Sequence, residues 1–171
     1  MQAATTCQYS LFKTRWGWFG VLGCDRGLIR TCLPVAFKEA ARRRLLSGIG
    51  AAGPAKKAHR PLQKQIAAYF KGRRVDFGDL PVCLEGLTAF QREVLLHLRS
   101  VTYGQTVSYG DLARLMQNPR ASRAIGSVMA KNPLPLIIPC HRVIKTDGSL
   151  GYFSGPGGVH TKQRMLDLEK T

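Results

Sequence analysis

Acidic residues are scarce in this chain. Its 171 residues hold 10 Asp and Glu against 26 Lys and Arg, a formal net charge of +16. So large an excess favours a polyanionic partner, nucleic acid first and an acidic membrane surface second. Long apolar runs are also missing. No stretch approaches the roughly 20 residues that a membrane-spanning helix needs, so no membrane role is expected. The first twenty residues lack a basic start followed by an unbroken apolar core, which reads as the absence of a secretory signal. Paired cysteines are lacking too, because the five (Cys7, Cys24, Cys32, Cys83, Cys140) are odd in number and irregularly spaced. Free thiols in a reducing, intracellular and cytoplasmic setting are the expectation. The chain does not lack apolar material: 44% of it is hydrophobic, enough for a packed core and unlike a disordered composition.

The charge is uneven. Residues 1–81 carry 15 Lys and Arg against 4 Asp and Glu, whereas residues 82–171 carry 11 against 6. The length suits one medium domain or two small ones, and the expected division is an N-terminal α/β domain over 1–81, with a basic loop at 47–60, and a C-terminal domain over 82–171. The densest runs are Arg42, Arg43 and Arg44, then Lys56, Lys57, His59 and Arg60. A solvated helix face and a loop would carry the same runs, so charge alone indicates DNA or RNA without locating the contact.

Strand-like runs cover Gln8 to Thr14, Trp18 to Gly23 and Leu28 to Leu33, broken by Trp16-Gly17 and Asp25-Arg26-Gly27. A helix is predicted from Phe37 to Leu46. Ser47 to Ala58 shows no period and reads as an exposed loop. Leu62, Ile66, Tyr69 and Phe70 then recur at helical spacing up to Gly72, and Asp76 to Pro81 reads as a linker. Thr88 and Gln91 have the spacing of a capping box, opening a helix with Phe90, Val94, Leu95 and Leu98 on its apolar face. A short strand at Gln105 to Val107 leads to Ser108, a capping residue for a helix from Tyr109 to Met116. Asn118-Pro119 breaks it, and a further helix runs from Arg120 to Ala130.

Two short helices joined by a tight turn suit a helix-turn-helix, and equally an ordinary helical hairpin. The second helix has small residues at Ala121, Ser122, Ala124, Gly126 and Ser127, with Arg123 alone among them. A major-groove reader carries longer polar side chains. Small residues around one long cation suit the minor groove, with Arg as a wedge, though close helix packing explains them as well.

Most of the chemistry lies in Asn132-Pro-Leu-Pro-Leu-Ile-Ile-Pro-Cys140-His141-Arg142-Val143. The three prolines exclude a regular helix or central strand and make a stiff lead-in to Cys140. His141 and Arg142 follow directly, two groups able to lower a thiol pKa. Stiff backbone, thiol, imidazole and guanidinium together have the make-up of an activated nucleophile. A buried structural cysteine is the competing reading. Cys-His adjacency fits neither a zinc pair, whose ligands stand two to four residues apart, nor a papain-like arrangement.

Pro139-Cys140-His141-Arg142-Val143 resembles the active-site signature of the O6-alkylguanine-DNA alkyltransferases. Ser108-Tyr109-Gly110-Asp111-Leu112-Ala113, Arg123-Ala124-Ile125-Gly126, Asn132-Pro133, Gly151-Tyr152-Phe153-Ser154-Gly155 and a terminal Lys162…Glu169 keep the family's order and approximate spacing. The likeness is dense over 88–169 and loose over 1–81.

That resemblance implies an α+β fold. A small N-terminal antiparallel sheet domain with helices, ribonuclease-H-like, would precede a mostly helical, winged helix-turn-helix-like domain that binds DNA and holds the active site. It implies irreversible, single-turnover transfer of an alkyl group from O6-alkylguanine, and O4-alkylthymine, in duplex DNA to Cys140 after base flipping. His141 would act as base through a bridging water, with Glu169 orienting it. Asn132 would brace the loop, and Tyr109 would hydrogen-bond the purine. The Cys140 and Val143 carbonyls would accept from the guanine amine, with the Ser154 N–H on the alkylated oxygen and Gly155 beside it. Arg123 would enter the base stack, with Arg120, Ser122, Ala124, Gly126 and Tyr109 along the DNA. The partner would be double-stranded DNA containing alkylated guanine, met by a monomer, with no cofactor.

Some members hold a structural zinc through two Cys and two His. Cys7 and Cys24 fall near the cysteine positions, but Ile29 and Pro81 stand where the histidines would, so no metal is expected. Gly155-Pro156-Gly157-Gly158 reads longer than the family pattern, which would alter the width of the alkyl pocket. A non-catalytic alkylated-DNA-binding relative and a plain helix-turn-helix regulator are the competing functions. The presence of Cys140 stands against the first.

Overall fold

The computed structural model describes residues 6–170. The first unit comprises the described residues up to Val75 together with Asp79–Cys83; the second comprises Asp76–Gly78 and the chain from Leu84 onward. No helix among the described residues is long and apolar enough to cross a membrane.

In the first unit, β1 (Cys7–Thr14), β2 (Gly17–Cys24) and β3 (Gly27–Val35) form consecutive antiparallel hairpins. Each hairpin closes through two residues followed by a glycine with positive φ, Gly17 at 131° and Gly27 at 129°. Both fall in backbone space open to glycine and closed to other residues. A Cβ on Gly27 would also lie 2.6 Å from the Pro81 carbonyl oxygen. Helix α1 (Lys38–Leu46) lays Ala41 and Leu45 on one sheet face against Tyr9, Leu22 and Cys32. Arg30 of β3 donates to the Leu45 carbonyl at 3.2 Å, which satisfies one of the open acceptors at the helix end. Helix α2 (Arg60–Tyr69) buries Leu62, Ile66 and Tyr69, and Phe70 just beyond it meets Phe19 at 6.0 Å and Trp16 at 5.2 Å between ring centroids.

Two segments differ from the sequence expectation. Ser47 to Ala58 is not wholly a loop, because β4 (Ala52–Pro54) pairs in parallel with Cys7–Tyr9 and gives the order β3-β2-β1-β4. Three residues of Ala-Gly-Pro carry no alternating pattern, and their strand character comes from the open edge of β1. Pro81 to Cys83 is not free linker either: Leu28 N–H donates to Pro81 O at 2.9 Å and Cys83 N–H to Leu28 O at 2.7 Å.

The second unit opens with α3 (Ala89–Leu98), started by a capping box. Gln91 N–H donates to Thr88 Oγ1 at 3.2 Å, and Thr88 N–H to Gln91 Oε1 at 2.9 Å. Its Val94, Leu95 and Leu98 are buried. A two-residue strand β5 (Val107–Ser108), slightly later than expected, pairs in parallel with β6 (Val143–Ile144). Ser108 caps α4 (Tyr109–Leu115) by accepting from Asp111 N–H at 2.9 Å. Helix α5 (Ser122–Ala130) begins two residues after Arg120, because Ala121 N–H is turned back onto Asn118 O at 2.9 Å. The chain ends on α6 (Gly158–Glu169). Pairing β5 with β6 places the start of α4 beside the strand that leaves Cys140.

Candidate active site

Asn132, just past α5, organises the stiff segment. Its Nδ2 donates to Ile138 O at 2.8 Å, while its Oδ1 accepts from Leu134 N–H at 3.0 Å. Cys140 N–H donates to Ile138 O at 2.8 Å, and a single 3-10 turn over Cys140–Arg142 follows, with Arg142 N–H on Pro139 O at 2.9 Å. Leu136 carries a φ of 77°, strained for a bulky residue, and is itself buried together with Leu134, Ile137 and Ile138. Cys140 is 6% exposed and His141 fully buried.

A 3-10 turn rotates successive side chains by about 120°, so Cys140, His141 and Arg142 cannot share a direction. His141 and Arg142 both turn to Glu169, the last residue of α6. His141 Nε2 lies 2.8 Å from Glu169 Oε1, and Arg142 grips the same carboxylate through Nε at 2.9 Å and Nη2 at 3.0 Å. Gly104 N–H adds a bond to Oε2 at 3.1 Å, and Arg142 Nη1 donates to Val101 O at 2.6 Å. Burial raises the Glu169 pKa, but the hydrogen bonds and charges of His141 and Arg142 outweigh it and hold the carboxyl at about 2. Glu169 is therefore an anion at any working pH.

The thiol behaves otherwise than the run Cys-His-Arg suggests. Burial pushes the Cys140 pKa up, opposed by a hydrogen bond with the Asn132 side chain and by the charge of Lys162. Arg142 does not act on the sulfur, because its guanidinium is spent on Glu169 and Val101. Burial also lowers the His141 pKa, against the pull of Glu169, so the imidazole is neutral at neutral pH. The resting pair is a protonated thiol and a neutral imidazole.

Lys162, quoted in the sequence only as part of a motif, is a site residue that the local pattern did not expose. It is fully buried, and its Nζ donates to Val143 O and Leu150 O, each at 2.6 Å. Burial lowers its pKa to about 8. A lysine in the first turns of a helix ordinarily reads as solvated, and only the tertiary fold shows it inside. It fixes the two ends of the segment from Val143 to Leu150.

Tyr109, at the start of α4, is half-buried. A Cβ built on Gly126 of α5 would lie 3.9 Å from its ring and one on Gly151 3.5 Å away, and Lys162 Nζ stands 6.0 Å from the ring centroid. Burial and the nearby Cys140 raise the Tyr109 pKa, keeping the phenol protonated. Cys140, His141, Glu169, Asn132 and Tyr109 thus gather around one buried thiol. Val143 is buried one turn away, Gly155 is half-buried, and Ser154 is exposed. On α5, Ile125, Val128 and Met129 face inward, which leaves Arg123, Ala124 and Ser127 exposed with Ser122 and Gly126 at the margin. Arg120 is exposed in the preceding turn. Of the small residues, Ala124 and Ser127 face outward while Ala121 is buried, so packing accounts for Ala121 but not for Ala124.

Cys7 and Cys24 stand at the same end of the β1–β2 ladder, whose first pair is Gln8 with Gly23. Among the described residues no three of His, Cys, Asp or Glu are grouped to hold a metal.

The family model for the 6-O-methylguanine DNA methyltransferase DNA-binding domain matches residues 89–171. A Methanosarcina acetivorans methylated-DNA–protein-cysteine methyltransferase is 42% identical over 111 residues, covering 64% of this chain and 68% of that protein. The chain belongs to this family. The Haemophilus influenzae protein of the same description is 42% identical over 102 residues, covering 60% of this chain and 55% of the relative, so the matched stretch spans about half of that protein. The fold agrees over nearly the whole length with the Mycobacterium tuberculosis OGT in complex with DNA. That structure is 32% identical with a TM-score of 0.77, covering 95% of this chain and 92% of that one. Cys140, His141, Arg142 and Glu169 behind it, and the outward face of α5 all lie within the stretch that the family model matches.

Proposed function

We propose that this chain repairs DNA by direct reversal, moving the alkyl group of O6-alkylguanine, and of O4-alkylthymine, from double-stranded DNA onto Cys140. The observation that carries the proposal is the buried thiol backed by a neutral imidazole on a permanently ionised carboxylate. With Nε2 donating to Glu169, Nδ1 is the basic nitrogen of His141. It takes the thiol proton through a bridging water as the sulfur attacks, so the thiolate forms only when substrate is in place. The S–C bond forms as the C–O6 bond breaks in line, and the purine oxygen is released as a less basic leaving group because Tyr109 hydrogen-bonds the ring. The Cys140 and Val143 carbonyls accept from the guanine amine, while Ser154 N–H, next to Gly155, meets the oxygen.

The target carbon is inaccessible inside a duplex, so the nucleotide is extruded at a cost of a few kcal/mol. Ser122, Ala124 and Gly126 let α5 approach the minor groove, Arg120 meets the backbone, and Arg123 fills the vacated stack. The product is a thioether that no group in the site can cleave, so each molecule acts once.

Incubation with a duplex containing O6-methylguanine, followed by intact and peptide mass measurement, tests this. One added methylene on the Cys140 peptide, saturating at one per protein, is expected. An unchanged mass with intact DNA binding overturns it.

A further inference from the structure

The first unit carries a cleft that the transfer chemistry does not use. It lies where β4 leaves the sheet after pairing Tyr9 with Pro54, while β1 runs on to Thr14 with no strand on its outer edge among the described residues. Its volume is about 590 Å³, within the range of small-molecule sites. Tyr9, Leu11 and Trp18 give it an apolar, aromatic wall, and Lys38, Arg42 and Lys56 stand around it. Lys38 Nζ lies 5.3 Å from the Trp18 ring centroid, and Arg42 Nε donates to the Tyr9 hydroxyl at 3.3 Å. One carboxylate, Glu39, lies at the rim, 3.3 Å from Arg42. Arg43 and Arg44 on α1, then Lys57 and Arg60 beyond β4, are exposed as well.

Three cations against one carboxylate call for an anionic occupant, and the indole face calls for a flat, apolar one. A duplex satisfies only the first demand, because its bases are turned inward. An unpaired nucleotide satisfies both: its base stacks on an aromatic platform while its phosphates follow the cations. We propose that this cleft binds single-stranded DNA, with a base against Trp18 and the flanking phosphates on Lys38, Arg42 and Lys56. The protein would then hold DNA through two surfaces of different selectivity, one for the damaged duplex and one for unpaired strand. The inference stands on the first unit alone and holds whether or not Cys140 accepts an alkyl group.

Fluorescence anisotropy of a labelled oligothymidylate with the full chain tests it, in wild type and in Cys140→Ser. Replacing Lys38, Arg42 and Lys56 together by Ala is expected to weaken binding and to flatten the dependence of log K on log salt by about 2, at about 0.7 per phosphate on a single strand. Trp18→Leu is expected to weaken binding at least about fivefold and leave that slope unchanged. An unaltered urea midpoint in the triple variant, whose three side chains are at the surface, shows that the fold is intact. Wild-type affinity in either the triple variant or Trp18→Leu overturns the proposal. So does a triple variant that loses binding only to anionic phosphatidylglycerol vesicles.

Discussion

Glu169 is the residue on which the site depends most. One carboxylate serves a buried imidazole, a buried guanidinium and, at the margin, the Gly104 N–H. Removing one partner of a buried ion pair costs about 3–5 kcal/mol, because the other is left uncompensated. Glu169→Gln is expected to lower stability by about that amount, read from urea unfolding at neutral pH. The carboxyl has its pKa depressed from 4.5 to about 2 on folding. A depressed acid stabilises the fold fully above its unfolded value and loses that contribution as pH falls through the folded value. Wild-type stability is therefore expected to decline between about pH 4.5 and about pH 2, and the Gln variant to lack that part of the decline. A variant with the full acid limb would show that another group sets it. From the sequence, Glu169 stands 28 residues beyond His141 in a helix whose register marks it as one of several polar positions. Its role was implied by family likeness, and its bond to Arg142 by nothing local.

At the scale of elements, the segment from Asn132 to Cys140 is neither a regular helix nor a strand, yet three prolines and the Asn132 side chain constrain it. Prolines remove N–H donors, which leaves few backbone bonds such as Ile138 N–H to Leu134 O at 2.8 Å, and the Asn132 side chain adds bonds to Leu134 N–H and Ile138 O. Asn132→Ala is expected to destabilise the second unit by about 2 kcal/mol through unsatisfied buried groups. Misplacing the thiol by even about 1 Å should slow alkyl transfer about a hundredfold. Transfer kinetics and thermal unfolding, measured side by side, separate the two effects. Transfer at the wild-type rate would show that the prolines alone position Cys140. Other elements were legible because their causes are close in sequence. Thr88 and Gln91 specify the start of α3 within one turn, and Gly17 and Gly27 specify the hairpins. β4 was not legible, since its reason is the open edge of β1, more than forty residues away in the chain.

For the whole molecule, the proposed DNA binding draws on the charge excess and on the outward face of α5. Arg123→Ala is expected to slow transfer from duplex DNA strongly while leaving transfer from free O6-methylguanine base within about twofold, because only the duplex has a stack to hold open. Single-turnover rates on the two substrates decide it, and equal losses on both would remove the wedge role. The composition predicted a polyanion, but it did not distinguish a solvated face from a contact. The structure places Arg123 outward on a helix whose other exposed residues are small, and it leaves the Arg42–Arg44 run at the surface of the first unit.

The sequence by itself determined what depends on near neighbours: hairpin turns, caps, the breaks around Pro119 and Pro133, and a thiol on a stiff stretch followed by imidazole and guanidinium. The tertiary structure decided what depends on enclosure. It turned Arg142 away from the sulfur and onto Glu169, buried Lys162 against the carbonyls of Val143 and Leu150, and raised the Cys140 pKa that adjacency alone would have lowered. Dihedral preferences act over a few bonds, whereas desolvation and Coulomb interactions depend on which distant segments close over a group.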